Sequence, residues 1–236
     1  MVELVRASTN VDDASAALER LLSERWSCRA YLPDQVPRAD LERLLTLAQR
    51  SPSWCNTQPW QVIVTSGAAT ERFRTGLTEY VRQGNADQPD FEAPERYLGV
   101  YRERRRTSGW QLYEAVGVQR GDRAASALQA MQNFELFGAP HVAILTTDAN
   151  QGTYGAVDTG LYIGTFMLAA TSMGLATIAQ AALAMQAPFI REHFSIPDDR
   201  RILVAISFGY PDPSHAANSY RTSRAVLDEV VTWADS

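Results

Sequence analysis

Between Ala14 and Leu22, the residues Ala14, Ala17, Leu18, Leu21 and Leu22 recur at a spacing of three and four, which puts them on one helical face. Asp12 or Asp13 can cap that helix, which the spacing carries to Ser23. Arg25 to Tyr31 lacks such a stripe and is followed by Pro33, so it reads as extended chain. Leu41, Leu44, Leu45 and Ala48 form a second stripe and predict a helix from Arg38 to Gln49. A short strand, "QVIVTSG", is closed by Gly67, and a helix follows from Thr70 to about Gln83. Asp122 to Phe137 reads as a further helix, broken by Gly138 and Pro140. "HVAILTT" is apolar without alternation, the mark of a strand buried on both faces.

From Thr159 to Ile190 no residue is charged, a run long enough to cross a bilayer. It contains Gly160, Gly164, Gly174, Gln180 and Gln186, and no basic flank sets a topology. The expectation is a buried core or interface helix to Met173, then a strand near Ala176 to Ala179, with no membrane partner. "RILVAISFGY" is the last clear strand, and beyond it the tail reads as an extended arm ending in a short segment. Helices and strands mix without a βαβ rhythm, which makes the fold class α+β.

The 236 residues suit one domain. Within it, Gly84 to Asp122 is polar, punctuated by Gly and Pro, and reads as an inserted, lid-like segment. Its aromatics (Phe91, Tyr97, Tyr101, Trp110, Tyr113) suit a local core, and its "RERRR" run reads as a solvated helix face, with anion binding as the alternative. A net charge of −5 argues against nucleic acid as a partner. Cys28 and Cys55 form no C-x-x-C pair and the first residues show no apolar leader core, so a cytoplasmic location is expected.

Several chemistries find no support. There is no G-x-G-x-x-G turn, no Walker A loop and no G-x-S-x-G elbow. His141, His193 and His215 show no metal-ligand spacing with cysteine, and His141 reads as a core or strand-end residue. Two basic motifs remain. In "RWSCR", if extended, Arg25, Ser27 and Arg29 share one face, and two guanidiniums around a hydroxyl suit a phosphate or a planar acceptor edge. "YRTSR" adds Arg221 and Arg224 on an otherwise acidic chain, where a solvated tail is the alternative. Between them lies "SPSWCNTQPW", whose prolines rule out a plain helix.

The order of "RWSCRAY", "SPSWCNTQPWQVIV", "GLATIAQAAL" and "FGYPD…YRTSR" resembles the FMN-dependent nitroreductase family along nearly the whole chain. The resemblance implies a nitroreductase-like fold: a central mixed or antiparallel sheet flanked by helices, with a long central interface helix. It implies that Arg25, Trp26, Ser27 and Arg29 bind the phosphate, ribityl chain and pyrimidine edge of FMN, with Arg29 at either the phosphate or the N1/O2 edge. Pro52, Ser53 and Trp54 match a loop that reaches the flavin of the partner subunit in a homodimer. Asn56 is expected to bond the flavin or hold the loop, and Gln58 to be structural. Trp54 is open between flavin contact and simple packing, and Trp60 is expected in the core. Ala179, Gln180, Ala181 and Ala182 match a segment whose backbone amides face the flavin, and Arg224, with Arg221 beside it, matches a C-terminal phosphate contact. "GLYIG" allows close helix approach, at a dimer interface or within the chain.

In that family FMN carries the redox chemistry, taking electrons from NADH or NADPH and passing them in ping-pong order to a small-molecule acceptor such as a nitroaromatic or quinone. No catalytic side chain is implied. Ene reduction, reductive dehalogenation, dehydrogenation of a biosynthetic intermediate and flavin binding with little turnover remain as alternatives.

Overall fold

The structure, a computed structural model, describes residues 11–234. Four strands, β1 (Trp60–Val64), β2 (His141–Asp148), β3 (Ala176–Gln180) and β4 (Arg200–Gly209), form one antiparallel sheet in the order β1-β2-β4-β3. The uninterrupted apolar run of β2 follows from its central place. Val142 and Ile144 enter one core layer, while Ala143 and Leu145 enter the other. Alternate side chains point to opposite faces, so both sets must be apolar when both faces are covered.

Helices supply the two covers. They are α1 (Val11–Glu24), α2 (Arg38–Ala48), α3 (Ala68–Arg82), α4 (Gly99–Ala115), α5 (Arg123–Met131), α6 (Gly152–Ser172), α7 (Ala181–Ala184) and α8 (Ala187–Phe194). One layer packs Leu41 and Leu44 of α2 and Tyr162 and Phe166 of α6 against Leu145 and Ile206. The opposite layer packs Phe73 and Leu77 of α3 and Ile190 of α8 against Ile144 and Ile178. Each such fully buried side chain stabilises the fold by about 1.5–3 kcal/mol.

The long uncharged segment divides at Gly174, which takes a φ of +73° between α6 and β3. Among the described residues no helix is long and apolar enough to cross a membrane. The buried stripe of α6 is Gly155, Asp158, Thr159, Tyr162, Phe166, Ala169 and Ala170. Its other face leaves Tyr154, Val157 and Leu161 exposed at 59%, 52% and 45%. Nothing lies within 4 Å of a Cβ placed on Gly160 or Gly164, so the close approach that "GLYIG" permits is not made within the chain. On α1 no residue is buried, and Val11, Leu18 and Leu22 face outward.

Three expectations change. The helix expected to reach Phe137 stops at Met131. Asp122 caps it as expected, accepting from the Ala125 amide at 2.9 Å. Leu136 and Phe137 then adopt left-handed φ values of 56° and 53°, in a turn that buries both before β2. The 84–122 segment holds a 17-residue helix, α4, and its lack of an apolar stripe follows from its having no buried residue. The short helix α8, opened by Pro188, had no signal distinct from the uncharged run around it.

His141 is wholly buried at the head of β2. Its Nε2 accepts from the Val36 amide at 2.9 Å, which leaves Nδ1 to donate to the Thr65 carbonyl at 3.0 Å. Burial lowers its pKa from 6.5, against the opposing pull of the Thr65 carbonyl. His193 shifts the same way through burial and then Arg72. The unfolded chain therefore binds more protons than the folded one below pH 6.5, so this contribution is complete above that value and is lost as pH falls through it. The melting temperature of the wild type is expected to drop from pH 7.5 to about pH 5.5, and that of His141→Gln to drop less. Equal slopes for the two proteins would show that His141 does not titrate in this way.

Candidate active site: an arginine-lined cleft

Residues 25–31 run beside the outer edge of β3, where Ser27 forms a parallel bridge with Thr177 and the Cys28 amide donates to the Thr177 carbonyl at 3.0 Å. Cys28 points inward, bonds the Ala30 carbonyl and has its thiol pKa raised by burial, which leaves it an inert core residue. Arg25, Trp26, Ser27 and Arg29 border a cleft of about 260 Å³.

The C-terminal arm forms the facing wall. Asn218 holds it there: its Oδ1 accepts from the Arg29 amide at 2.9 Å, and its Nδ2 donates to the Ala30 and Asp212 carbonyls. The guanidinium of Arg221 lies 4.0 Å over the Trp26 ring. Arg29 Nη1 donates to the Tyr220 hydroxyl at 3.1 Å. Arg224 reaches the same cleft, and Ser108 of α4 lies on its border.

The electrostatics are one-sided. Arg25, Arg29, Arg221 and Arg224 take part in none of the ion pairs formed among the described residues. Burial, and after it the Arg224 cation, lowers the pKa of Arg25. Trp26 Nε1 is buried with no acceptor among the described residues. Among the described residues the cleft thus presents guanidiniums and hydroxyls and no carboxylate. Such a set suits an oxygen-rich anion and fits the phosphate and carbonyl oxygens of FMN.

The "SPSWCNTQPW" loop is built for rigidity. Both Asp158 carboxylate oxygens lie 3.1 Å from the Trp54 amide, and Ser53 Oγ accepts from the Gln58 amide at 2.9 Å. Buried Arg200 donates to the Pro59 carbonyl at 2.7 Å. Cys55, Asn56 and Gln58 adopt positive φ, and Gln58 Nε2 donates to the Asn56 carbonyl and side-chain oxygens. In this chain Asn56 and Gln58 therefore hold the loop. Trp60 packs in the core as expected, with its Nε1 donating to Gln49. Trp54 is 58% exposed and meets Tyr154 edge-on at 4.4 Å.

Within one chain this loop does not border the arginine cleft. Pro52 and Asn56 instead line a separate cavity of about 900 Å³ with Gln49, Trp60 and Tyr162. Ala179–Ala182 does not border the cleft either: Ala179 and Ala181 are exposed, and Gln180 turns its side chain into the core to bond Asn133 and Ser207. Sequence reasoning missed Asn218, Tyr220, Ser108 and Asp158. Asp158 carried a usable signal, as the last charge before the uncharged run, because a carboxylate in an apolar helix needs donors.

Fold and cleft define an α+β protein equipped to hold an anionic, oxygen-rich ligand. Residues 22–210 match the model of the Nitroreductase family, and the chain belongs to that family. It is 37% identical over 226 residues to Nitroreductase NfnB of Mycolicibacterium smegmatis, covering 94% of each chain. To a 4-nitrobenzoate reductase of Nocardioides sp. it is 34% identical over 228 residues, covering 94% of this chain and 92% of that one. The crystal structure of the FMN-dependent nitroreductase NfnB from Mycobacterium smegmatis in complex with NADPH superposes with a TM-score of 0.89 at 37% identity, covering 94% of this chain and 99% of that one. The family match ends at residue 210, so the arm that carries Arg221 and Arg224 lies beyond it.

Proposed function

We infer that this protein is an FMN-dependent oxidoreductase that uses NADH or NADPH to reduce nitroaromatics, quinones or similar planar electrophiles. The observation that carries this reading is the cleft of four guanidiniums that pair with no carboxylate among the described residues. Bound FMN supplies the electron relay between the nicotinamide and the acceptor. The chain's own part is to hold and tune that group. Arg25 and Arg224 face each other closely enough for the second to depress the first, and a phosphate between them relieves that repulsion. Arg29 lies toward the other end of the strip, where a cation favours negative charge on the ring.

The same reading makes the active protein a homodimer. The outward apolar residues of α1 and α6 form a surface for a second copy, and the open Gly160 and Gly164 let another helix approach closely. The rigid Pro52–Trp54 loop, which stands apart from the cleft of its own chain, then completes the cleft of its partner. Ala179–Ala182 offers the ring only backbone, since the Gln180 side chain is engaged elsewhere. The 84–122 segment, with α4 bordering the cleft through Ser108, serves as the lid. Free Cys28 and Cys55 suit a cytoplasmic setting.

The purified, FMN-loaded protein is expected to lose its flavin absorbance on addition of NADPH or NADH and to regain it with 4-nitrobenzoate or a quinone, without oxygen. Bleaching by dithionite alone would exclude the oxidoreductase reading and leave a flavin-binding protein.

A further inference from the structure

Tyr220 opens the "YRTSR" motif but received no role from it, and the residue lines the cleft. Arg29 Nη1 approaches it at 3.1 Å. A guanidinium has no lone pair to offer, so the phenol oxygen accepts there and its own proton remains available. No described residue accepts that proton. Burial raises the pKa of this phenol, against the opposing effect of Arg29, which keeps it a donor at neutral pH. The residue is held in place from both sides. Asn218, two positions earlier, is clamped to the Arg29 amide, and Arg221, one position later, is stacked on Trp26.

The cleft also has two distinguishable ends. Arg25, which with Arg224 borders the cleft, marks one, and the Arg29–Tyr220 contact, four positions further along the strip, marks the other. Three extended residues lie between Arg25 and Arg29, so four steps of chain separate their Cα atoms by at most about 14 Å. A phosphate seated at the first end leaves the second to a different part of the same ligand. We propose that Tyr220 is a further cofactor-binding residue, donating its hydroxyl proton to the carbonyl-bearing edge of the flavin ring, beside Arg29.

The proposal rests on the reading of the cleft as an FMN site, and the experiment separates the two. Dissociation constants for FMN and riboflavin are measured by quenching of flavin fluorescence in the full-length wild type, Tyr220→Phe, Arg29→Met and the double variant. Tyr220→Phe keeps the ring and removes only the hydroxyl, and an unchanged melting temperature of the flavin-free protein verifies the fold. The expected result is about tenfold weaker binding of FMN in Tyr220→Phe, the loss of one hydrogen bond to a partly charged acceptor. The same factor is expected for riboflavin, which lacks the phosphate, and in the Arg29→Met background. An affinity within twofold of wild type overturns the proposal while leaving the FMN site intact. A loss confined to FMN overturns it by placing Tyr220 at the phosphate. A loss that vanishes in the Arg29→Met background overturns it by making Tyr220 only a support for Arg29. A wild type that binds neither flavin overturns both the proposal and the reading beneath it.

Discussion

Replacing Arg25 and Arg224 together by alanine is expected to leave the purified protein almost free of FMN while its fold survives. Hydrogen bonds from a cation to phosphate contribute about 1.5–3 kcal/mol each. Losing one from each arginine weakens binding by roughly 10²- to 10⁴-fold. The flavin-free fold should not suffer, because Arg25 is only partly buried, Arg224 is exposed, and the Arg224 cation disfavours the charge on Arg25. The melting temperature without FMN is therefore expected to match or slightly exceed that of the flavin-free wild type. Only the stabilisation conferred by added FMN should disappear. A double variant purified with full flavin content would remove these residues from the site.

Asn218→Leu is expected to damage both stability and cofactor binding. The amide is buried, and its bonds span from residues 29 and 30 to residue 212. The Ala30 carbonyl keeps a donor in the Asp212 amide, but the Arg29 amide and the Asp212 carbonyl lose theirs. Two partly buried backbone groups left unpaired cost about 3 kcal/mol together. For a chain of 236 residues that lowers the melting temperature by about 6–12 °C. Because this clamp holds the arm beside the strip, FMN affinity should fall as well. An unchanged melting temperature in differential scanning calorimetry would show that the clamp contributes little.

What could be read from the sequence was whatever local periodicity or residue chemistry determines. The stripe Leu41, Leu44, Leu45 and Ala48 became the buried face of α2, apart from Leu45, which packs partly buried against the same layer. The unbroken run of β2 announced a strand covered on both sides, and the uncharged segment divided at Gly174 as its glycine suggested. Arg25, Trp26, Ser27, Arg29, Arg221 and Arg224 did converge, although nearly 200 residues separate the two groups in the chain.

What escaped depends on distant partners. Helical spacing carried the fifth helix past Met131 because Leu136 and Phe137 are apolar at suitable positions; their left-handed backbone is set by the need to bury both side chains. Asn218 and Asp158 act on backbone amides far off in sequence, in the strip and at Trp54, which a linear pattern does not display. Only the extent of α4 was hidden, and for the opposite reason: its "RERRR" run read as a solvated helix face, but with nothing buried the rest has no periodicity to find. The separation of the "SPSWCNTQPW" loop from the cleft of its own chain likewise emerges only in three dimensions, and it is the geometric reason for assigning that loop to a second copy.

A crystal structure of the FMN-loaded protein tests the shared site most directly. The account predicts two chains packed through α1 and α6, the FMN phosphate between Arg25 and Arg224 of one, and the Pro52–Trp54 loop of the other against the ring. A phosphate bound away from those two arginines, or a ring enclosed by elements of a single chain, would contradict it.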